Sequence, residues 1–143
     1  MTPREQATTK KAIQKIFDLQ IRACKRGDLE ALFQTMWNSP EFIAIMTDGA
    51  RLDYQGVKTF TAELFESAPS VKFTRAKDDF LFLSKDLVLY AWNGKCDMTL
   101  RAGGNSRIDS YAVTYVFRKI GKEWKIIFSH ESASPVLEQK PKK

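Results

Sequence analysis

The stretch SYAVTYVFRKIGKEWKIIFSHES, residues 110–132, decides the fold of this chain. It holds two segments rich in Val, Ile, Phe and Tyr, which are residues that favour β-strands. Between them lies Ile120-Gly121-Lys122, a connection short enough for an antiparallel hairpin. The sequence therefore predicts two neighbouring strands, residues 106–119 and 123–132, joined by a tight turn.

The first of these strands is apolar on both of its faces. One face carries large side chains: Tyr111, Val113, Tyr115 and Phe117. The other carries smaller ones: Ala112, Thr114 and Val116. A sheet with one face in water alternates apolar with charged residues, and no charge occurs here before Arg118. We therefore expect helices to cover one face and a second copy of the sheet to cover the bulky one, which predicts a homodimer or a larger even-numbered assembly.

The remaining sequence predicts helices first and strands afterwards. Apolar residues at three- and four-residue steps predict helices over 11–25 and 56–67, and Asp28 is placed as the N-cap of a helix between them. Further segments read as strands: 42–46, 50–55, 71–77, 79–83 and 87–100. This order is typical of an α+β fold with helices packed on one side of an antiparallel sheet.

Length and composition fit a single domain. The chain has 143 residues, 43% hydrophobic and 12% aromatic, which is enough for one core and too little for two. We predict a domain over residues 11–134, a flexible N-terminus over 1–10 and a basic flexible tail over 135–143. The net charge is +6, and much of it lies in the two ends. Because a nucleic-acid site needs basic residues clustered on one face, we expect no nucleic-acid partner.

The sequence carries no signal for a membrane, an export pathway or a metal. Apolar runs such as 42–46 are far shorter than the roughly 20 residues of a membrane helix. The first eleven residues lack the apolar segment of a secretory signal, so we expect a cytoplasmic protein. Cys24 and Cys96 show no metal or redox spacing and are expected to be free thiols. No His lies at metal-ligand spacing from carboxylates, so we predict neither metal nor other cofactor.

Three local strings and the order of elements resemble the nuclear transport factor two-like superfamily, in particular its SnoaL-like and ketosteroid-isomerase-like members. The strings are RGDLEAL at 26–32, Asp48-Gly49 through Gln55-Gly56, and GKEWKIIFSHES at 121–132. The last string is also similar to the association domain of calcium/calmodulin-dependent protein kinase II. The resemblance implies a cone-shaped, cystatin-like α+β barrel, with three N-terminal helices on a curved antiparallel sheet and a hollow for a ligand or active site.

The catalytic residues of ketosteroid isomerases are not carried over by this resemblance. Gln20 stands where those enzymes have an oxyanion-hole tyrosine, and Thr114 stands where they have a protonated acid. Their base matches Thr47 or Asp48, and Asp48 fits a turn before Gly49 equally well. The isomerase mechanism is therefore not supported, and Asp48 is kept as a candidate base.

The comparison with the kinase association domain concerns the end of the chain. The matching pocket there carries arginines that bind acidic groups, and Thr114 and Glu131 stand at two of those positions. An inward Glu131 favours a cationic or hydroxyl-bearing ligand, and its burial is expected to raise its pKa. The comparison also places Ser129 inside and His130 on the interface side with Phe128, since strand residues alternate. His130, the only histidine, is a candidate for proton transfer.

Three further side chains are candidates for lining the hollow. Gln20 lies on the apolar stripe of the first helix, where its amide either serves the pocket or bonds a nearby backbone group. Trp37 and Trp92 either wall a ligand site or belong to the core.

These observations leave three functions open. The first is binding of a small hydrophobic or amphipathic ligand in a mostly apolar cavity, with polar contacts from Gln20, Thr114 and Glu131. The second is isomerisation, dehydration or hydrolysis of a hydrophobic metabolite, with Asp48, Glu131 or His130 as base. The third is an assembly module whose sheet interface is its function. We favour the first.

Overall fold

A computed structural model describes residues 1–139 of the protein. The elements in chain order are α1 (Pro3–Arg26), α2 (Leu29–Phe33), β1 (Ile43–Ile45), β2 (Arg51–Leu52), α3 (Tyr54–Ser67), β3 (Ser70–Ser84), β4 (Leu87–Thr99), β5 (Asn105–Ile120), β6 (Glu123–Ala133) and β7 (Leu137–Gln139). Within residues 1–139, no helix is long and apolar enough to cross a membrane.

Helix α1 begins at Pro3, well before the predicted start at Lys11. A capping box fixes this start, because the Thr2 hydroxyl accepts from the Glu5 N–H while the Glu5 carboxylate accepts from the Thr2 N–H. Residues 3–10, expected to be flexible, are therefore helical. The helix ends at Gly27, whose φ of 66° is the left-handed conformation that glycine adopts without strain.

The strands form one sheet in the order β2-β1-β6-β5-β4-β3, with β7 paired to β5. All pairings are antiparallel except that of β1 with β6, which is parallel. The sheet is therefore mixed, whereas the sequence predicted a purely antiparallel one. Its two end strands, β2 and β3, do not pair with each other, so the curved sheet stays open against the helices. The predicted cone-shaped α+β fold is confirmed.

Several other elements differ from the sequence-based prediction. Strand β2 covers only Arg51–Leu52 of the predicted 50–55, because Asp53 caps α3 and residues 54 and 55 are helical. Strand β3 runs through both predicted segments, 71–77 and 79–83, because a bulge after Arg75 absorbs the irregularity. The helix capped by Asp28 was predicted from an apolar stripe that reached Met36 and Trp37, but α2 ends at Phe33. Residues 137–139 of the predicted flexible tail form β7, and the last four residues of that tail lie outside the described part of the chain.

The two faces of β5 are covered in the opposite way to the prediction. The bulky side chains are the buried ones, at most 9% exposed: Tyr111, Val113, Tyr115 and Phe117. The smaller ones are half-buried on the outer face: Ala112, Thr114 and Val116. The expectation that a second sheet covers the bulky face is wrong, because the helices of the same chain pack over it.

Candidate ligand-binding site

A cavity of about 120 Å³ lies between the helices and the inner face of the sheet. All three helices and five of the strands contribute to its mostly apolar lining. Protein interiors are otherwise close-packed, with few voids larger than a water molecule. Unfilled space of this size between the helices and the sheet is therefore the candidate ligand site.

One wall of the cavity is a cluster of aromatic rings centred on Trp92. Its ring lies 5.1 Å from Phe17, 5.7 Å from Phe73 and 5.7 Å from Tyr111, measured between ring centroids. The contacts with Phe17 and Phe73 are edge-to-face, an arrangement that aromatic pairs favour. Packing on these sides holds the indole in one orientation against the cavity.

Gln20 enters the cavity from α1 and is 4% exposed. Its Nε2 donates to Thr35 Oγ1 at 3.0 Å, and that hydroxyl donates its own proton to the Leu32 carbonyl at 2.6 Å. Because the Thr35 proton is already used, the amide of Gln20 can be oriented in only one way. Its Oε1 is then left without a hydrogen-bond partner among residues 1–139.

The indole N–H of Trp92 is the second unpaired polar group of the cavity lining. Trp92 is 5% exposed, and its Nε1 finds no acceptor in the described part of the chain. Leaving a buried donor or acceptor unsatisfied costs about 1–3 kcal/mol. The lining therefore holds one acceptor, on Gln20, and one donor, on Trp92, that the protein does not satisfy itself.

A bulge in β6 decides which of its residues face the cavity. Phe117 pairs with Ile126 and Val116 with Phe128, which leaves Ile127 as an extra residue. Simple alternation from the buried Ile126 would turn residues 128 and 130 inward, but the extra residue shifts the alternation by one. Ser129 and Glu131 consequently line the cavity, as the resemblance implied.

Glu131 is the only carboxylic acid in the cavity lining. Burial raises its pKa, and a hydrogen bond from Tyr111 acts in the opposite direction by stabilising the charged form. Burial likewise raises the pKa of Cys24 and Cys96 to about 12, and that of Tyr111 and Tyr115 well above the usual range. These thiols and phenols stay protonated near neutral pH. Of these five side chains, Glu131 is therefore the one suited to exchange a proton.

Four predicted site residues lie outside the cavity. Thr114 is on the outer face of β5, because it alternates with the buried Val113 and Tyr115. The bulge in β6 turns His130 to the same outer face, where it pairs with Thr114. Trp37 lines a separate depression near Lys125. Asp48 lies in an exposed turn, where its carboxylate accepts from the Ala50 N–H at 2.9 Å.

Several cavity residues were not predicted from the sequence, chiefly Cys24, Tyr111 and Tyr115. The two tyrosines share a strand face, and their size was a signal that this face turns inward. Cys24 lies one helical turn after Gln20 on the same stripe, which also indicated the cavity side. Among the described residues, no group of three His, Cys, Asp or Glu side chains is placed to hold a metal ion.

An open sheet curved over helices around an apolar hollow defines a small cone-shaped α+β domain. The SnoaL-like domain family matches residues 13–136, and the chain belongs to this family. A comparison with curated protein sequences gives no significant match.

Solved structures with the same fold agree with this assignment. A candidate scytalone dehydratase from Novosphingobium aromaticivorans has a TM-score of 0.85 and 7% identity, covering 99% of this chain and 94% of that one. The hexachlorocyclohexane dehydrochlorinase LinA-type3 from Novosphingobium barchaimii has a TM-score of 0.79 and 13% identity, covering 96% and 94%. A nuclear transport factor 2-like superfamily protein from Salmonella enterica serovar Typhimurium has a TM-score of 0.80 and 16% identity, covering 91% and 94%. The resemblance to the nuclear transport factor two-like superfamily is confirmed, and at these identities the likeness concerns the fold alone.

Proposed function

We propose that this protein binds a small, mostly apolar molecule in the central cavity. The observation that carries the proposal is the cavity itself, a volume of about 120 Å³ that the surrounding side chains leave open. An engineered apolar cavity of about 150 Å³ in another protein takes up benzene, so a space of this order suits a ligand of about one six-membered ring. Gln20, Trp92, Ser129 and Glu131 supply its polar contacts.

Toluene is a suitable first probe, because it has the size of one ring and no polar group. Toluene binding is expected to raise the melting temperature of the protein, since a ligand that binds only the folded state stabilises it. Ala44→Leu, at a cavity position that is 1% exposed, is expected to fill the space and abolish the response.

Ala62→Leu is the matched control for this test. Ala62 lies on α3 outside the cavity lining, so its variant should respond to toluene as the wild type does. Absence of any response in the wild type, to toluene or to other one-ring probes, would overturn the proposed binding function.

A catalytic role for Glu131 is a second proposal, favoured by a carboxyl of raised pKa inside an apolar cavity. A general base works best when its pKa lies near the working pH, and burial shifts Glu131 in that direction. Two of the similar folds belong to proteins named for dehydration and dehydrochlorination, reactions in which a proton leaves the substrate.

Exchange of the α-protons of cyclohexanone in D2O tests this catalytic role. The wild type should exchange them faster than buffer alone, and Glu131→Gln should not, because only a carboxylate can take up the proton. Equal exchange by both proteins would reject catalysis by Glu131 and leave the binding proposal standing.

We also propose that a second copy of the chain packs on the outer face of the sheet. Paired residues of five neighbouring strands form a continuous apolar row on this face: Leu81, Leu89, Val116, Phe128 and Ile43. Leu81 is 56% exposed, which is unusual for a leucine within a sheet. Sedimentation equilibrium at micromolar concentration should give twice the monomer mass of 16.4 kDa, and a stable monomer would contradict the proposal.

A further inference from the structure

We infer that the ligand of this cavity is a neutral one-ring alcohol or phenol, whose hydroxyl donates to Gln20 Oε1 and accepts from Trp92 Nε1. This inference rests on the proposed binding function and names the chemical class of the ligand. It is carried by two side chains, each more than nine-tenths buried and each with one polar atom unpaired among residues 1–139.

Both side chains belong to the same part of the cavity. Phe17 lies one helical turn before Gln20 on α1, so the two side chains share a face of the helix. The ring of Phe17 is 5.1 Å from that of Trp92. Gln20 and Trp92 therefore enter the cavity lining from α1 and from β4, on either side of Phe17, and in our proposal a single small group binds both.

The Gln20 amide has one oxygen and two N–H groups, and the oxygen is its one atom without any hydrogen-bond partner among residues 1–139. Its Nε2 is used by Thr35, and the hydroxyl proton of Thr35 is used by the Leu32 carbonyl. The free group on Gln20 is therefore an acceptor, while the free group on Trp92 is a donor, since an indole nitrogen cannot accept. A ligand group that satisfies both atoms must therefore donate one hydrogen bond and accept another.

A hydroxyl group meets this requirement with one oxygen atom. A carboxylate has no proton for Gln20 Oε1, and it would meet the acidic Glu131 in the same lining. An ammonium group only donates, which leaves the Trp92 N–H unpaired. A hydrocarbon satisfies neither atom. The cavity volume, about 120 Å³, suits one ring beside the hydroxyl.

The test compares p-cresol with toluene, which has the same ring and methyl group without the hydroxyl. By titration calorimetry, p-cresol should bind about tenfold more tightly or better, because two buried groups gain their missing partners. Benzoate and benzylammonium are the charged probes, and both should bind more weakly than p-cresol.

A spectroscopic readout reports on the Trp92 hydrogen bond directly. The chain has three tryptophans, so its ¹H–¹⁵N spectrum holds three indole N–H signals, and Trp92→Phe identifies the one that belongs to Trp92. That signal should move downfield on addition of p-cresol and much less on addition of toluene, while the signals of the other two tryptophans stay in place.

Gln20→Met removes the free acceptor while keeping the length of the side chain. The variant should still bind toluene and lose most of its preference for p-cresol. Gln14→Met, on the same helix but outside the cavity lining, is the matched control and should keep that preference. If Gln20→Met does not fold, the calorimetry and the Trp92 signal of the wild type decide the question.

The outcomes separate this inference from the proposed function. Equal affinity for toluene and p-cresol, an unmoved Trp92 signal, or tighter binding of a charged probe would each overturn the hydroxyl assignment while the cavity remains a binding site. Failure of every probe to bind would overturn the proposed binding function, and the inference with it.

Discussion

The two faces of β5 are both apolar in sequence, yet they have different surroundings in the fold. The face with three aromatic side chains and Val113 is buried under the helices, whereas Ala112, Thr114 and Val116 form part of the outer surface. The inner face has to fill the space between sheet and helices, and only large side chains reach across it. Side-chain volume, more than hydrophobicity, therefore distinguishes the inside of this sheet from its outside.

The sharpest test of this comparison is truncation of neighbouring residues on the two faces. Phe117→Ala, at a fully buried position, is expected to lower the free energy of unfolding by about 3–5 kcal/mol, because it removes a buried ring and leaves a cavity. Val116→Ala, on the half-buried face, should cost about 1 kcal/mol. Urea unfolding followed by tryptophan fluorescence measures both, and similar losses would break the distinction.

Strand β4 offers a second test at the point where the backbone of β3 crowds its inner face. A Cβ added at Gly94 would lie 1.9 Å from the Thr74 carbonyl oxygen, and a backbone atom cannot move aside cheaply. Gly94→Ala is therefore expected to cost about 1–3 kcal/mol or more, by the same unfolding measurement. Asn93→Ala, on the exposed side of the strand, should stay within about 0.5 kcal/mol of the wild type.

The pH dependence of stability tests whether Glu131 belongs to the inner face. Its pKa in the folded protein lies above the ordinary value of 4.5, so the folded state holds the proton more tightly than the unfolded state. The resulting stabilisation is complete below that value and is lost as the pH rises through the raised pKa.

Glu131→Gln removes this dependence. The variant should therefore gain stability relative to the wild type on going from about pH 4 to about pH 8. Melting temperatures across this range measure the difference. Glu123→Gln, an exposed acid on the same strand, should keep the pH profile of the wild type, and an unchanged profile for Glu131→Gln would place that carboxyl in water.

The smallest effect on folding is expected for a charge on the outer face. Val116→Lys should leave the melting temperature of the monomer nearly unchanged, since the ammonium group reaches water. In our proposal the same change separates the two copies, because it places like charges opposite each other at their contact. Light scattering should then give the mass of one chain, and an unaltered dimer would move the proposed contact elsewhere.

Much of the fold follows from local patterns in the sequence. Periodicity predicted α3 and the body of α1, and the turn at Gly121, whose φ is 64°, marked the hairpin of β5 and β6. The parallel pairing of β1 with β6 was missed, because it joins a three-residue strand to one near the other end of the chain. No local pattern reports such a contact.

The candidate site was predicted in part, and the bulge in β6 explains the rest. If β6 had no bulge, Thr114 would pair with Ser129, and Thr114, Ser129 and Glu131 would lie on one face of the sheet. With the extra residue Ile127, Thr114 pairs with His130 instead. Thr114 therefore lies on the outer face, while Ser129 and Glu131 line the cavity. A single bulge is set by tertiary packing and carries no clear sequence signal.

The short strand β7 continues the sheet beside the first residues of β5. Leu137–Gln139 pairs with Asn105–Arg107, whose other side is taken by β4. A chain cut before residue 137 would leave the N–H and C=O groups along that stretch of β5 open to any other extended polypeptide. Strand β7 therefore covers this part of the sheet edge, and shortened versions should precipitate more readily than the whole chain.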